Sequence, residues 1–316
     1  MNPAPAKIAI TRRSLLQSAA VSALPFMTGG AGRAEESKPG YIDAHVHVWT
    51  DDFAKYPLAE GFKADEIAPK TFTPEELFAE CRPHGVNRIV LIQMSFYKLD
   101  NRYMLDAIRR HPDSFRGVAI IDEKAPNARD KMDELAKAGV TGFRLYANRE
   151  AVESWLKSDE MDAMWRHAAK TRQAMCLLAN PDALPAAHEM CKRHRETRVV
   201  VDHFARIGMD GEIRENDLKA LTALAAFPEV YVKTSAFYAL GKKAAPYTDL
   251  APMIRRLRDE FGPQRLMWAS DCPFQVADGH TYEPSISLIR DKLEFLTPED
   301  KSWMLSRTAE RVYWQA

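Results

Sequence analysis

Residues 41–49 read Tyr-Ile-Asp-Ala-His-Val-His-Val-Trp, a largely apolar run that contains two histidines two positions apart. β-branched and aromatic residues in such a run are typical of a buried strand. Successive side chains of a strand point to opposite faces, so His45 and His47 project to the same side and can share one metal ion or one substrate oxygen. The stretch therefore predicts a strand with a ligand-binding pair at its end, unless the two histidines only fill polar positions there.

Seven more apolar, strand-like runs follow, and amphipathic helix-like runs alternate with them. The predicted strands are 42–47, 88–93, 116–121, 142–146, 174–178, 198–203, 230–235 and 266–271. The predicted helices are 74–81, 101–110, 127–137, 161–171, 185–194, 216–226, 250–261, 284–293 and 298–313. This alternation indicates an α/β protein with a parallel sheet. Eight units over about 275 residues match a single (β/α)8 TIM barrel in number and in length.

A doubly wound open sheet is the alternative fold. It usually carries a glycine-rich phosphate-binding turn after its first strand. Here the first strand is followed by no glycine until Gly61. The chain also has no internal repeat and no linker-like segment, so the sequence predicts one barrel domain over residues 35–316.

The composition excludes several kinds of partner. The 44 Lys and Arg residues balance 44 Asp and Glu residues, which removes the electrostatic case for nucleic acid. No run reaches the roughly 18 apolar residues that a membrane span requires. The four cysteines have no Cys-x-x-Cys spacing, so a disulfide framework is not implied. A small-molecule substrate is therefore the expected partner.

The first 34 residues differ in character from the rest. Residues 11–16 read Thr-Arg-Arg-Ser-Leu-Leu, a mildly apolar run continues to Met27, and small residues follow up to Ala34. These are the three parts of an export signal, and the arginine pair is typical of the twin-arginine type. Residues 1–34 are thus expected to be a signal peptide read by the twin-arginine export machinery, with a periplasmic or otherwise exported product. An Ala-rich terminal helix is the alternative.

Polar side chains gather at the predicted strand ends. They are His45, His47, Gln93, Ser95, Arg144, Tyr146, Asp202, His203, Lys233, Ser235 and Asp271. In a (β/α)8 barrel the C-terminal ends of all strands surround one cavity, so these residues are expected to converge. Any one of them could be an ordinary polar residue at a strand terminus, but together they indicate an active site. Strand alternation predicts that Asp202 points away from the side taken by His203.

Several motifs resemble the amidohydrolase-related (amidohydrolase 2) family of TIM-barrel hydrolases. They are Ile-Asp-Ala-His-Val-His-Val-Trp at 42–49, Asp-Asn at 100–101, Gly-Phe-Arg-Leu-Tyr at 142–146, Val-Val-Val-Asp-His at 199–203, Val-Lys-Thr-Ser at 232–235 and Ala-Ser-Asp-Cys-Pro at 269–273. The chain is similar in particular to the branch of pyrone-dicarboxylate lactonase and fuconolactonase-type enzymes. The resemblance implies a hydrolase of a small, anionic cyclic ester. Amide hydrolysis, non-oxidative decarboxylation and non-catalytic small-molecule binding remain alternatives.

The resemblance also bears on the metal. Two-metal relatives use a carboxylated lysine or a glutamate at the end of the fourth strand, where this chain has Arg144. A two-metal site is therefore disfavoured, and His45, His47 and Asp271, with His203 as a further candidate, could hold a single Zn²⁺ or other divalent ion. A metal-free site, in which histidines and an arginine polarise the carbonyl directly, stays open.

Lactone hydrolysis assigns a role to each residue. Negative charge develops on the carbonyl oxygen, so the three histidines and any metal are expected to polarise it, while Asp271 takes a proton from the attacking water. Arg144 is expected to bind a substrate carboxylate through paired hydrogen bonds. The other predicted substrate-binding residues are Gln93, Ser95, Tyr146 and Ser235.

Overall fold

The computed structural model describes residues 40–315, so the expected signal peptide at residues 1–34 lies outside the described residues. Eight strands pair in parallel, each with the next along the chain. They are β1 Tyr41–Val46, β2 Val86–Ile92, β3 Phe115–Ala119, β4 Val140–Ala147, β5 Ala174–Ala179, β6 Val199–Val201, β7 Val230–Ser235 and β8 Leu266–Ala269. The predicted TIM barrel is confirmed.

Helices surround this barrel, and most occupy the predicted stretches. They are α1 Pro74–Cys81, α2 Arg102–Arg110, α3 Ala128–Lys137, α4 Arg149–Trp155, α5 Asp159–Thr171, α6 Leu184–Arg193, α7 Glu215–Ala223, α8 Ala251–Phe261, α9 Tyr282–Ser287, α10 Pro298–Ser302 and α11 Thr308–Tyr313. Helix α4 was not predicted, because a seven-residue helix is too short to reveal its period. None of the described helices is long and apolar enough to cross a membrane.

The last helix closes one end of the barrel. Val312 and Tyr313 pack with inward-facing strand residues such as Val200 and Met267. The Tyr313 hydroxyl lies 3.6 Å from the Cys176 sulfur in the barrel interior. The N-terminal ends of the strands are therefore plugged, and the predicted strand-end residues lie at the opposite end.

Five strands end earlier than predicted, β1 and β2 by one residue and β3, β6 and β8 by two. For β6, which ends at Val201, and β8, which ends at Ala269, the reason is the backbone of the polar residues that follow. His203 has φ 50° and Asp271 has φ 69°, in the left-handed region that cannot continue a strand ladder. The side chains of His203 and Asp271 thus project from the first turn beyond their strands.

The turn after β6 is unusual in length. Residues 203–206 are four consecutive non-glycine residues with φ between 50° and 59°. Left-handed helical backbone costs roughly 1–2 kcal/mol per L-residue, so this turn persists only because its surroundings fix it. It begins with His203 and ends with Arg206.

The seam between β8 and β1 closes the barrel. The Asp271 amide donates to the His45 carbonyl at 2.9 Å, and the His47 amide donates to the Cys272 carbonyl at 2.8 Å. At the same seam the buried Asp43 carboxylate accepts a hydrogen bond from the Ser270 amide at 2.9 Å. Closure of the barrel therefore uses the backbone of the polar strand-end residues themselves.

Candidate active site

Three imidazoles and one carboxylate converge at the C-terminal end of the barrel. The Nε2 atoms of His45 and His47 lie 3.3 Å apart. The Asp271 Oδ1 atom lies 3.5 Å from His45 Nε2, 3.4 Å from His47 Nε2 and 3.8 Å from His203 Nε2. All four residues are more than nine-tenths buried. The strand ends thus bring together the four residues expected to share a metal or act in catalysis.

The outer two histidines are each oriented by a hydrogen bond at Nδ1. His47 Nδ1 lies 2.9 Å from the Ile92 carbonyl oxygen, which only accepts, so His47 carries its proton on Nδ1 and a lone pair on Nε2. His203 Nδ1 lies 2.8 Å from the Ser235 hydroxyl. That hydroxyl is 3.4 Å from the Lys233 carbonyl oxygen, to which it can donate while it accepts from His203. Both rings then direct an Nε2 lone pair at the cluster.

His45 sits deeper and contacts a buried ion pair. Its Nδ1 lies 3.4 Å from Asp202 Oδ1 and 3.2 Å from Lys233 Nζ, and these two groups are 2.9 Å from each other. Strand alternation predicted that Asp202 points away from His203, but both side chains reach the cluster, at different depths. The reason is that Asp202 has extended backbone whereas the backbone of His203 is left-handed.

Burial keeps His45 and His203 neutral. Desolvation, with Lys233 nearby, holds the pKa of His45 well below its usual value. Desolvation also lowers the pKa of His203 to about 4, although Asp271 opposes the shift. At neutral pH both rings therefore keep a lone pair available for a ligand.

Asp271 stays ionised in spite of its burial. Desolvation by itself would raise its pKa, but the surrounding imidazoles, His203 foremost, hold the pKa well below the usual carboxyl range. Its second oxygen, Oδ2, accepts a hydrogen bond from the Tyr238 hydroxyl at 2.7 Å. The carboxylate is thus fixed with one oxygen facing the imidazoles.

The donor set fits one divalent ion. A tetrahedral site with bonds of about 2.0–2.1 Å to nitrogen and oxygen has ligand atoms roughly 3.3 Å apart. The triangle formed by the Nε2 atoms of His45 and His47 and by Asp271 Oδ1 has sides of 3.3–3.5 Å. His45, His203 and Asp271 also offer ligand atoms within 4.8 Å of one another. Electron-rich atoms at these spacings repel unless a cation or a proton lies among them.

Arg144 lies beside this cluster without a carboxylate partner among residues 40–315. Its Nη1 is 3.3 Å from His45 Nε2, and its buried Nε has no hydrogen-bond partner. Arg206, from the left-handed turn, faces the same cavity, and burial together with Arg144 lowers its pKa. Two guanidinium groups in one cavity of about 270 Å³ provide a binding site for an anionic group.

The other predicted substrate-binding residues occupy different places. Ser235 is fully buried and contacts His203, so it orients that ring. The Gln93 side-chain amide donates to the Asp100 carbonyl at 2.8 Å and to the Lys98 carbonyl at 3.2 Å, so it holds the loop after β2. Ser95 and Tyr146 line a neighbouring cavity. Of the predicted substrate-binding set, only Arg144 lines the cavity that contains His47, His203 and Asp271.

Sequence reasoning did not assign site roles to Asp202, Lys233, Arg206 and Tyr238. Asp202 and Lys233 did carry a signal, since each is a charged residue within a strongly apolar strand run. Arg206 and Tyr238 follow their strands by several residues. Only the turns that begin at His203 and Ala236, both with positive φ, bring them back over the cavity.

Comparisons with known proteins agree with this architecture. The amidohydrolase family model (amidohydrolase 2) matches residues 42–314. L-fucono-1,5-lactonase from Burkholderia ambifaria is 29% identical over 250 residues, 76% of this chain and 82% of that protein. 2-Pyrone-4,6-dicarboxylate hydrolase from Comamonas testosteroni is 29% identical over 300 residues, 89% of this chain and 94% of that protein.

A solved structure shares the fold. An amidohydrolase from Burkholderia multivorans with bound zinc superposes with a TM-score of 0.71 at 22% identity, covering 87% of this chain and 99% of that one. The family model spans nearly all of the described barrel, including β1 with its His-x-His pair and the turn after β8. The resemblance expected from the motifs is therefore confirmed, and the chain belongs to the amidohydrolase family.

Proposed function

We propose that this amidohydrolase opens the ring of a small lactone that carries an anionic group. The observation that carries the proposal is the buried Arg144 guanidinium, which has no carboxylate partner among the described residues and lies 3.3 Å from an imidazole of the cluster around Asp271. An unpaired buried cation is costly, and a substrate carboxylate would offset that cost. Two relatives named as a lactonase and a pyrone hydrolase support a cyclic ester as the substrate.

Each residue of the site has its own role in the reaction. Arg144 and Arg206 bind the anionic group and thereby place the ester carbonyl over the imidazole cluster. Asp271 accepts a proton as water attacks the carbonyl carbon. When the ring C–O bond breaks, Asp271 returns that proton to the departing oxygen, which leaves as a hydroxyl; the new carboxylic acid then releases its own proton to solvent and becomes a second carboxylate.

The chemistry of the donor set supports a metal-containing site. His45, His47 and Asp271 would hold one divalent ion such as Zn²⁺, with His203 as a further ligand. When bound, such an ion polarises the carbonyl and makes bound water more acidic. With its Nδ1 proton donated to the Ile92 carbonyl, the neutral form of His47 directs a lone pair and not an N–H group into the cluster, which suits a metal ligand and not a donor to a developing oxyanion.

A lactone panel tests the proposal. A butyrolactone carboxylate and the same lactone without the carboxylate would be assayed before and after chelation and after readdition of Zn²⁺. We expect about one metal equivalent per chain, loss of turnover on chelation, and preference for the anionic lactone. Equal turnover of both lactones would contradict the anionic substrate. Full activity in metal-depleted protein would favour the direct mechanism, and inactivity towards every lactone would overturn the proposal.

We further propose that the barrel is exported by the twin-arginine route. The proposal rests on the charged, apolar and small-residue segments of residues 1–34. A protein exported after folding can acquire its metal and complete its active site before it crosses the membrane.

A further inference from the structure

Exposed large hydrophobic side chains in residues 40–315 lie at one end of the barrel. Leu99 and Tyr146 are 55% and 45% exposed, and Phe62 and Met209 complete the set. Three of the four lie in loops that follow β1, β2 and β6, and Tyr146 is the penultimate residue of β4. These are the C-terminal ends of the strands, where the catalytic cluster lies. Exposed apolar surface concentrated beside a catalytic cavity indicates a ligand-binding surface.

Most of this surface encloses one space, which we call the apolar cavity. It measures about 430 Å³, and its lining includes Phe62, Ser95, Leu99, Ile120, Ile121 and Tyr146. A dry cavity of roughly 150 Å³ accepts a benzene molecule in another protein, so an aryl or branched alkyl group has ample room here. Among the charged residues of its lining, Asp122 and Glu123 outnumber Lys98, whose Nζ already donates to the Glu60 carbonyl at 3.0 Å, so a second carboxylate is disfavoured in this space.

Side-chain hydrogen bonds fix the shape of the apolar cavity. Asn101 donates to the Ile120 carbonyl at 2.8 Å and accepts from the Ile120 amide at 3.1 Å. Gln93 holds the carbonyls on both sides of Leu99. The loop that carries Leu99 is therefore tied to the ends of β2 and β3, and the cavity is largely preformed.

The apolar cavity adjoins the catalytic cavity through one strand. Arg144 and Tyr146 are alternate residues of β4, the first in the catalytic cavity and the second in the apolar cavity. The Arg144 guanidinium carbon lies 5.8 Å from the centre of the Tyr146 ring. A molecule whose anionic group is held by Arg144 can thus extend over Tyr146 into the apolar cavity.

We propose that the substrate is a lactone carboxylate with an apolar substituent, aryl or branched alkyl, that occupies the apolar cavity. This inference rests on the proposed function and adds the part of the substrate that does not react. Binding energy from such a remote group serves to place the ester carbonyl at the cluster. A polyhydroxylated sugar lactone would place most of its hydroxyl groups against the apolar side chains of Leu99, Ile121 and Phe62, where they lose hydrogen bonds to water without replacement.

The test compares a butyrolactone carboxylate with its phenyl-substituted derivative on the metal-loaded enzyme. We expect kcat/KM to be roughly 10- to 100-fold higher for the phenyl derivative, the range for burying a small apolar group in a pocket. Leu99→Ser and Tyr146→Ala should each reduce that ratio several-fold. Lys170→Ser, at an exposed position of α5, is the control and should leave the ratio unchanged.

The outcomes separate this inference from the proposed function. Hydrolysis of the plain lactone as fast as of the phenyl derivative, with a ratio that Leu99→Ser does not change, would overturn the inference while lactone hydrolysis stands. Inactivity on both lactones would overturn the proposed function itself. A dimer that Leu99→Ser dissociates, with the ratio unaffected, would assign this surface to contact between copies and would also overturn the inference.

Discussion

One hydrogen bond at Nδ1 determines which ring nitrogen of His47 and of His203 is available as a ligand. Because the Ile92 carbonyl can only accept, His47 must donate through Nδ1 and keep Nε2 free. Ser235 can impose the same state on His203. In metal sites such partners of the non-ligating nitrogen fix the ring and raise its basicity. Ile92 and Ser235, which hydrogen-bond to these rings, therefore contribute to ligand binding through the imidazoles.

Asp271→Asn tests the catalytic base. The amide keeps the size of the side chain but cannot take a proton from water, so kcat should fall by about 10²- to 10⁴-fold. Binding of the ring-opened product, measured by calorimetry, should change much less. Asp278→Asn, on the same loop, is the matched control. Near wild-type kcat in Asp271→Asn would move the role of base elsewhere, with His203 the next candidate.

Ser235→Ala tests the orientation of His203. Loss of the hydroxyl leaves His203 Nδ1 without its partner, so the affinity for Zn²⁺ should fall roughly 10- to 100-fold. Metal titration with a competing chelator measures this affinity, and Ser235→Thr should restore it. Ser285→Ala, which removes another buried hydroxyl bonded to Trp268, is the control. If both alanine variants bind metal equally well, Ser235 does not orient the ring.

The sequence identifies the candidate ligands but not the residues that hydrogen-bond to them. His45, His47 and Asp271 could be located because each lies within or just beyond the end of an apolar strand run. Tyr238 could not be identified as the partner of Asp271, because that contact depends on a left-handed residue, Ala236, to which sequence patterns assign no special conformation. Predictions of which residues converge were therefore better than predictions of which residues touch.

At the scale of elements, the strands are predictable and their ends are not. β-branched residues locate all eight strands, and the predicted bounds of β7, 230–235, agree with the structure. The ends of β6 and β8 differ because His203 and Asp271 adopt positive φ. Strain of this kind is stabilised by tertiary contacts, which local sequence does not reveal.

Asp43 in β1 makes the seam sensitive to pH. Burial raises its pKa from 3.8 to about 6. Below pH 3.8 the group is protonated in the folded and the unfolded protein and has no effect. As pH rises towards 6 the unfolded chain releases its proton more readily, so this group lowers the free energy of unfolding by up to ~3 kcal/mol.

Asp43→Asn removes this dependence, because the amide stays neutral and still accepts from the Ser270 amide. We expect the free energy of unfolding of the variant, relative to wild type, to increase between pH 4 and pH 7. Urea denaturation at several pH values measures it. Asp113→Asn, at an exposed position, should show a constant difference from wild type. A constant difference for Asp43→Asn as well would contradict the effect.

At the scale of the molecule, export remains a prediction from residues 1–34. Replacing Arg12 and Arg13 together by lysine should retain the precursor in the cytoplasm, because the receptor reads the arginine pair. Fractionation followed by immunoblotting would detect it, with Arg33→Lys as the matched control. Unchanged amounts of the processed form in the periplasm would remove the twin-arginine interpretation.

The seam between β8 and β1 also orders events during synthesis. Asp43 and Ser270, which meet there, are 227 positions apart in the chain. β1 leaves the ribosome first, and its two histidines must wait for nearly the whole barrel to be translated before Asp271 can join them. Bringing together such distant segments costs loop-closure entropy, which is recovered only once the intervening strands have packed. A nascent or prematurely terminated polypeptide that lacks β8 is consequently inert, and turnover itself reports that translation has passed the last strand and that the barrel has closed.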